Sequence, residues 1–269
     1  MNNENVEYLQ KNLFNLGFGE KLHEELKNKV QQKVPEFTLK TEANYNKEKL
    51  EATLYFKKSE TSGIYFFNKY DTSLKSDFQS EKSQTFYVNK GAGVTFKEAY
   101  NLLSDNAVHK NLVTKEGEQY KAWLKLDLGQ KDENNNYRVE RYHQNYGYDL
   151  KKVLADYPIK ELNNPDAKEM LIKSLEKGNR QSVTIERNGS EEKFFIRANP
   201  KERTIDVFDK QMKPVQTESI KAKASQELQQ PVKEVSQNSN QDVKKDTSKQ
   251  KDLDKKETIN KPKSRRMSH

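Results

Sequence analysis

Aromatic and basic side chains are interleaved in the segment 137–148, and this aromatic content is the most unusual feature of the chain before residue 211. Tyr142, Tyr146 and Tyr148 cluster around a glycine, next to Arg138 and Arg141. Aromatic faces stack on unpaired nucleobases and cationic side chains hold phosphates, so this mixture is typical of single-stranded nucleic-acid binding. The alternative is that the tyrosines belong to the core. We treat the five residues as candidates for a surface that recognises nucleic acid or protein.

A second basic group lies at the end of the chain, at Lys261, Lys263, Arg265 and Arg266. The segment 211–269 has no aromatic residue and holds 14 of the 49 Lys+Arg and 8 of the 41 Asp+Glu, which is +6 of the net +8. It cannot bury enough apolar surface to offset its ordering entropy, so we predict a disordered tail. The tail is either an arm that neutralises nucleic-acid phosphates or a solubilising segment without a partner.

Residues typical of catalysis are scattered. With no cysteine, thiolate metal sites and cysteine nucleophiles are excluded. The Gly-Ala-Gly segment at 91–93 lacks the Lys-Ser/Thr of a phosphate-binding P-loop, and no GxSxG elbow occurs. The histidines show no metal-ligand spacing; they are His23, His109, His143 and His269. We therefore predict no enzyme activity, no metal and no cofactor.

Composition narrows the class of protein further. Of 269 residues, 32% are apolar and 33% charged, and no stretch approaches the ~18 apolar residues of a membrane span. The first residues lack the basic and apolar regions of a secretory signal. We expect a cytoplasmic protein with no membrane partner and no small-molecule ligand.

Hydrophobic periodicity predicts an N-terminal unit over 1–90. Leucines recur at helical spacing before and after Gly17, and Pro35 ends the second helix. From Glu36 the period changes to two, which indicates an antiparallel meander. The aromatic residues at 65–67 and Trp123 are expected in the core.

A second unit is predicted over 91–210. Thr95 and Glu98 fit a capping box, and Asn164, Pro165 and Gly178 fit the cap, first residue and end of another helix. Asn188-Gly189 suits a tight hairpin turn. Helices and strands come in blocks, so the fold class is α+β: helices with a meander, a helix-plus-hairpin unit, and the tail. Each of the last two long helices is followed by similar strands, a faint internal repeat that chance also explains.

Several segments together resemble a known family. They include NKGAGVTFKEAYNLLS, TKEGEQYKAWLKLD, YHQNYGYDLKKVLADYPIKEL, SLEKGNRQSVTIERNG and FIRANPKERTIDVFD. Over about 1–210 the chain resembles a family of unknown function carried on conjugative transposons and related mobile elements of Bacteroides-type bacteria. The resemblance implies a cytoplasmic protein encoded beside transfer and DNA-processing genes, and it carries over no catalytic residues.

Two functions follow as expectations. The first is a non-enzymatic accessory protein of a mobile genetic element, which binds DNA or a DNA-processing protein while the basic tail adds phosphate contacts. The alternative is a protein-only interaction module, such as an inhibitor of a host function, with a solubilising tail.

Overall fold

A computed structural model describes residues 3–45, 47–77, 79–88, 93–114, 116–187 and 189–221. Within these ranges the chain forms five α-helices and eleven strands in three antiparallel sheets. The predicted α+β class is therefore confirmed. None of the described helices combines the length and apolarity that crossing a membrane requires.

The N-terminal helices are α1 (Asn3–Asn15) and α2 (His23–Gln31). Their leucines repeat at three- and four-residue spacing, which gathers them on one face of each helix, and Leu9, Leu13 and Leu26 are fully buried. The buried Asn5 in α1 accepts a hydrogen bond from the Tyr65 amide (2.8 Å) and donates one to the Tyr65 carbonyl (3.0 Å). This amide ties α1 to the backbone of the sheet below it.

The first sheet is the predicted meander, with strand order β1-β2-β3-β4. Its strands are β1 (Glu36–Tyr45), β2 (Glu48–Lys58), β3 (Tyr65–Ser76) and β4 (Gln79–Tyr87). Ala52, Leu54 and Phe56 are buried, whereas the residues between them face outward, as an alternating pattern dictates.

The middle of the chain forms α3 (Phe96–Leu103) and a sheet ordered β5-β6-β7. The strands are β5 (Val108–Val113), β6 (Gln119–Lys131) and β7 (Tyr137–His143). The capping box is present: Thr95 Oγ1 accepts from the Glu98 amide (3.3 Å) and Glu98 Oε2 accepts from the Thr95 amide (2.8 Å).

The last part begins with α4 (Leu150–Ala155) and α5 (Pro165–Glu176). A sheet ordered β11-β10-β9-β8 follows. Its strands are β8 (Gln181–Arg187), β9 (Ser190–Asn199), β10 (Thr204–Phe208) and β11 (Pro214–Val215). Asn164 Oδ1 accepts from the Ala167 amide (3.0 Å), so the predicted N-cap of α5 is confirmed. Arg187 pairs with Ser190, which leaves a two-residue connection, although Asn188 itself lies outside the described residues.

Two hydrophobic cores meet at the β5-β6-β7 sheet. Leu124 and Leu126 on one face of β6 join the first core, with α1–α3 and the first sheet. Trp123 on the other face joins the second core, with α4, α5 and the last sheet. The sequence assigns α3 to the second unit, 91–210. In the structure α3 packs in the first core, so it belongs with the N-terminal unit. α3 precedes the three-stranded sheet and α5 the four-stranded one, so the order of a helix followed by three antiparallel strands occurs twice.

The structure places the start of the predicted tail differently. Residues 211–221 fold onto the last sheet: β11 pairs with Val207 and Phe208, and Ile220 is buried in the second core. The sequence did not predict this, because single aliphatic residues in a polar segment show the same pattern whether they are buried against a folded domain or exposed. Residues 222–269, with Lys261, Lys263, Arg265 and Arg266, lie outside the described residues.

Candidate functional site

The predicted aromatic and basic surface of β7 is not assembled as expected. Tyr142 and Tyr148 are buried, so their faces are not available for stacking on a ligand. The Tyr142 hydroxyl donates to Glu140 Oε2 (2.6 Å). Burial is the main cause that raises the pKa of Tyr142, and the hydrogen bond to Glu140 raises it further. Arg138 and Arg141 are exposed, but they stand three positions apart on one strand and therefore on opposite faces.

The tyrosines that follow β7 hold the second core together. Tyr148 packs edge-on against Trp123 with ring centroids 5.4 Å apart, and burial raises its pKa. The half-buried Tyr146 donates its hydroxyl to the Lys201 carbonyl (2.9 Å) and carries the Arg203 guanidinium 4.6 Å above its ring. This loop is thus fastened to the β9–β10 turn. Strand alternation alone gives no sign of which face is covered, which is why the sequence suggested a recognition surface.

Core positions among the other aromatics are partly as predicted. Tyr65, Phe67 and Trp123 are buried, which confirms that part of the prediction. Phe66 is 48% exposed, because it points to the outer face of the first sheet, where no other described element covers it.

The histidines do not gather. His109 Nδ1 lies 3.6 Å from Glu176 Oε1, and the His143 ring stacks on Tyr120 with centroids 5.1 Å apart. Within the described ranges, no three His, Asp or Glu side chains are placed to hold a metal ion. His269 lies outside those ranges.

The structure instead brings together three cations that sequence reasoning missed. Lys82, Lys97 and Arg180 line a cleft of about 620 Å³ where the first and second cores meet. Its walls come from the starts of β2 and β4, one face of α3, the loop 104–106 and the segment 179–181. We call this the cationic cleft.

Lys97 projects from α3 across two tyrosine rings. Its Nζ lies 3.9 Å from the Tyr45 ring centroid and 4.2 Å from that of Tyr100. These faces stabilise the ammonium group, but desolvation by the surrounding protein still lowers the pKa of Lys97. No described residue accepts a hydrogen bond from Lys97 Nζ, and Lys97 lines the cleft.

Arg180 follows the end of α5 and lines the same cleft. Its guanidinium stacks on Phe208, with Cζ 4.7 Å from the ring centroid. Its one hydrogen bond among the described residues is a long contact from Nη1 to Met212 Sδ (3.5 Å). Desolvation and the neighbouring Arg197 both lower the pKa of Arg180.

None of these cations has an acidic partner. The ion pairs among the described residues leave out Lys82, Lys97 and Arg180. Lys82 Nζ instead donates to Gln79 Oε1 (3.0 Å) and the Leu103 carbonyl (3.3 Å). The cleft therefore presents positive charge that the described protein does not neutralise.

The two carboxylates of the cleft are already engaged elsewhere. Glu48 Oε2 accepts from the Tyr100 hydroxyl (2.8 Å), and burial together with this carboxylate raises the pKa of Tyr100 to about 12. Asp105 Oδ1 lies 2.6 Å from Lys125 Nζ, and Asp105 Oδ2 lies 3.4 Å from Arg197 Nη2. Neither carboxylate is positioned to pair with Lys97 or Arg180.

The walls are held in place by a close contact between α3 and the end of α5. Asn101 Nδ2 donates to the Lys177 carbonyl (2.7 Å) and to Asn179 Oδ1 (3.0 Å). Gly178, at φ +80°, packs so closely that a Cβ would come within 2.9 Å of the Ala107 carbonyl oxygen. The helix end predicted from this glycine thus also positions the segment 179–181, which lines the cleft.

Only a weak sequence signal pointed to the cleft. Lys97, Tyr100 and Asn101 share one face of α3 by their three- and four-residue spacing, but their partners come from segments far along the chain. Compared with known proteins, the chain matches no family model, no curated protein and no solved structure.

Proposed function

We propose that this chain is a non-catalytic nucleic-acid-binding accessory protein of a mobile genetic element, with a phosphate group held in the cationic cleft. The observation that carries the binding role is the set of three cleft cations without a carboxylate partner. The resemblance to proteins of conjugative transposons supports the cellular context, and the basic segment around Lys261–Arg266 supplies further phosphate contacts in this proposal.

The electrostatics of the cleft support an anionic ligand. A cation taken partly out of water loses hydration, and a partner of opposite charge offsets that cost. Lys97 and Arg180 have both lost part of their hydration, since desolvation is the first cause of the lowered pKa of each. An anion between them would restore the missing interaction and would raise both pKa values.

A phosphate suits the donors better than a carboxylate does. The guanidinium of Arg180 offers paired N–H groups in a plane, and the Lys97 ammonium acts as a point charge from another direction. Phosphate has oxygens on several sides and can accept from both at once. The polar character of the remaining walls, which carry amide and hydroxyl side chains, fits a ligand that stays hydrated in part.

The test is binding of a fluorescent single-stranded oligonucleotide and its duplex to the full-length protein, measured by anisotropy at several salt concentrations. We expect affinity that falls steeply as salt rises. The double variant K97Q/R180Q should bind about tenfold or more weakly, since each lost charge contact is worth roughly 1 kcal/mol or more. The matched control is Lys193→Gln, which removes an exposed and unpaired lysine on β9 and should change affinity less than twofold.

A variant with Lys261, Lys263, Arg265 and Arg266 all changed to Gln distinguishes the contribution of the tail to binding from that of the cleft. We expect its affinity to depend less steeply on salt concentration, while K97Q/R180Q still weakens binding in this background. If the unmodified protein binds neither oligonucleotide at low salt, the proposal is wrong. Equal affinity of the double variant and the unmodified protein would also overturn it.

A protein-only interaction module remains the second candidate, because one other surface favours it. Phe66 and Tyr87 are 48% and 67% exposed, and both point away from the first core on the outer face of the first sheet. Exposed aromatic residues are common anchors of protein interfaces. If this function holds, a stoichiometric protein partner co-purifies with the unmodified protein even after nuclease treatment. The variant F66S/Y87S should lose this partner, whereas K97Q/R180Q should retain it.

A further inference from the structure

We infer that the cationic cleft selects a terminal phosphate, a phosphomonoester with two negative charges, over the internal phosphodiesters of a nucleic-acid strand. This inference rests on the proposed function and names the part of the nucleic acid that enters the cleft.

The charge of the lining indicates how much anion the cleft can take. Lys82, Lys97 and Arg180 contribute three positive charges, and Glu48 and Asp105 contribute two negative ones. Asp105 is already paired with Lys125 and Arg197, whose two positive charges lie just behind it. Counting these partners together with Asp206, which pairs with Arg197, the cleft and its immediate surroundings carry a net of +2.

A single negative charge would leave half of this excess in place. A phosphodiester carries one negative charge, whereas a phosphomonoester at pH 7 carries about 1.5 to 2, because its second pKa is about 6. Charges in a partly desolvated site interact more strongly than charges in bulk water. The dianion therefore gains more from this cleft than a diester of the same size.

The size of the cleft also suits a strand end. Three parts of the chain line it: α3 with the loop 104–106, the starts of β2 and β4, and the segment 179–181. An internal phosphate must lead a strand both into and out of such a cleft, whereas a terminal phosphate needs a single exit. The volume of about 620 Å³ lies in the range of pockets that hold one nucleotide-sized ligand.

The two principal cations are held at separate points on these walls. Phe208 supports the Arg180 guanidinium from below, and the Tyr45 and Tyr100 rings support the Lys97 ammonium. Such aromatic supports restrict side-chain rotation, so less conformational entropy is lost when the phosphate binds. Selectivity should therefore be lost in either single variant and not only in the double one.

The experiment compares two oligonucleotides of identical sequence, one with a 5′-phosphate and one with a 5′-hydroxyl, by competition against a fluorescent strand on the full-length protein. At pH 7.5 and moderate salt we expect the phosphorylated strand to bind at least fivefold more tightly. This ratio should approach one in R180Q and in K97Q. It should persist in the control K193Q.

Lowering the pH to 5 provides a second readout, because protonation of the monoester removes its second charge and the ratio should shrink. If both oligonucleotides bind equally in the unmodified protein, the inference is overturned and the proposed function stands. If neither binds, both fail. A preference that survives unchanged in R180Q and K97Q would also overturn the inference, since the terminal phosphate would then be recognised elsewhere.

Discussion

Arg197 on β9 reaches Asp105, ninety-two positions earlier in the chain, and donates from Nη1 to its carbonyl oxygen at 3.1 Å. Asp105 sits at φ +64°, a left-handed conformation that few non-glycine residues adopt. The same guanidinium donates from Nε to Asp206 Oδ2 (2.7 Å) and from Nη1 to Asn106 Oδ1 (3.1 Å). One side chain thus holds the loop behind the cationic cleft against the last sheet.

We expect Arg197→Leu to lower the free energy of unfolding by about 2 to 4 kcal/mol, because it removes the donor from Asp206 Oδ2 and from the side-chain oxygen of the buried Asn106. Chemical denaturation followed by Trp123 fluorescence gives the measurement. Arg138→Leu is the matched control, since Arg138 is exposed on β7, and it should cost less than about 0.5 kcal/mol. A similar loss for both variants would contradict the role assigned to Arg197.

Replacement of Gly178 by alanine should cost more than replacement of another glycine with the same backbone conformation. Gly178 and Gly147 have φ of +80° and +85°, but only at Gly178 would a Cβ meet neighbouring atoms at 2.9 Å. We expect Gly147→Ala to cost about 1 kcal/mol from backbone strain alone. Gly178→Ala adds overpacking and should cost about 2 to 4 kcal/mol in total. Thermal and denaturant unfolding measure the loss of stability in each variant. Equal losses would show that the packing of Gly178 against Ala107 adjusts to accommodate the added Cβ.

Stability should fall as the pH drops below neutrality, in part through His109. Burial lowers the pKa of His109 from its ordinary 6.5, and the nearby Lys121 adds to this effect while Glu176 opposes it. Between the lowered and the ordinary pKa the unfolded chain binds more protons than the folded chain, so the free energy of unfolding decreases as the pH falls through that window.

The variant His109→Gln removes this titration. Denaturant midpoints measured between pH 7.5 and 5 should therefore decline less steeply for the variant than for the unmodified protein. A steeper decline in the variant would mean that attraction to Glu176 outweighs burial and that His109 stabilises the fold when charged.

The folded boundary of the chain lies after the sequence-predicted start of the tail. A chain that ends at Lys221 should unfold at the same denaturant concentration as the full-length protein. A chain that ends at Lys210 loses β11 and the buried Ile220, which is 3% exposed. We expect it to be less stable by about 2 kcal/mol or more, the value of one buried large aliphatic side chain. Equal midpoints would show that residues 211–221 add nothing to the fold.

Features with local causes could be read from the sequence. The capping box at Thr95, the Asn164 cap and the alternation in β2 each depend on residues a few positions apart. The orientation of Phe66 and Tyr142 could not be read in this way, since which face of a strand is covered depends on distant helices and sheets. The cationic cleft was missed for the same reason: Lys82, Lys97 and Arg180 meet only after two cores have packed.

The buried side chain of Gln84 joins the first sheet to the β5-β6-β7 sheet, and this link has a further consequence. Its Oε1 accepts from the Tyr137 amide (2.7 Å) and its Nε2 donates to the Tyr137 carbonyl (3.4 Å), while Asn136 Oδ1 accepts from the Thr85 amide (2.7 Å). β4 and β7 are the edge strands of their sheets. Free edges invite strands of other molecules and so lead to aggregation. Here side-chain amides occupy the Thr85 amide on β4 and both backbone groups of Tyr137 on β7, which opposes strand addition from another molecule at these positions.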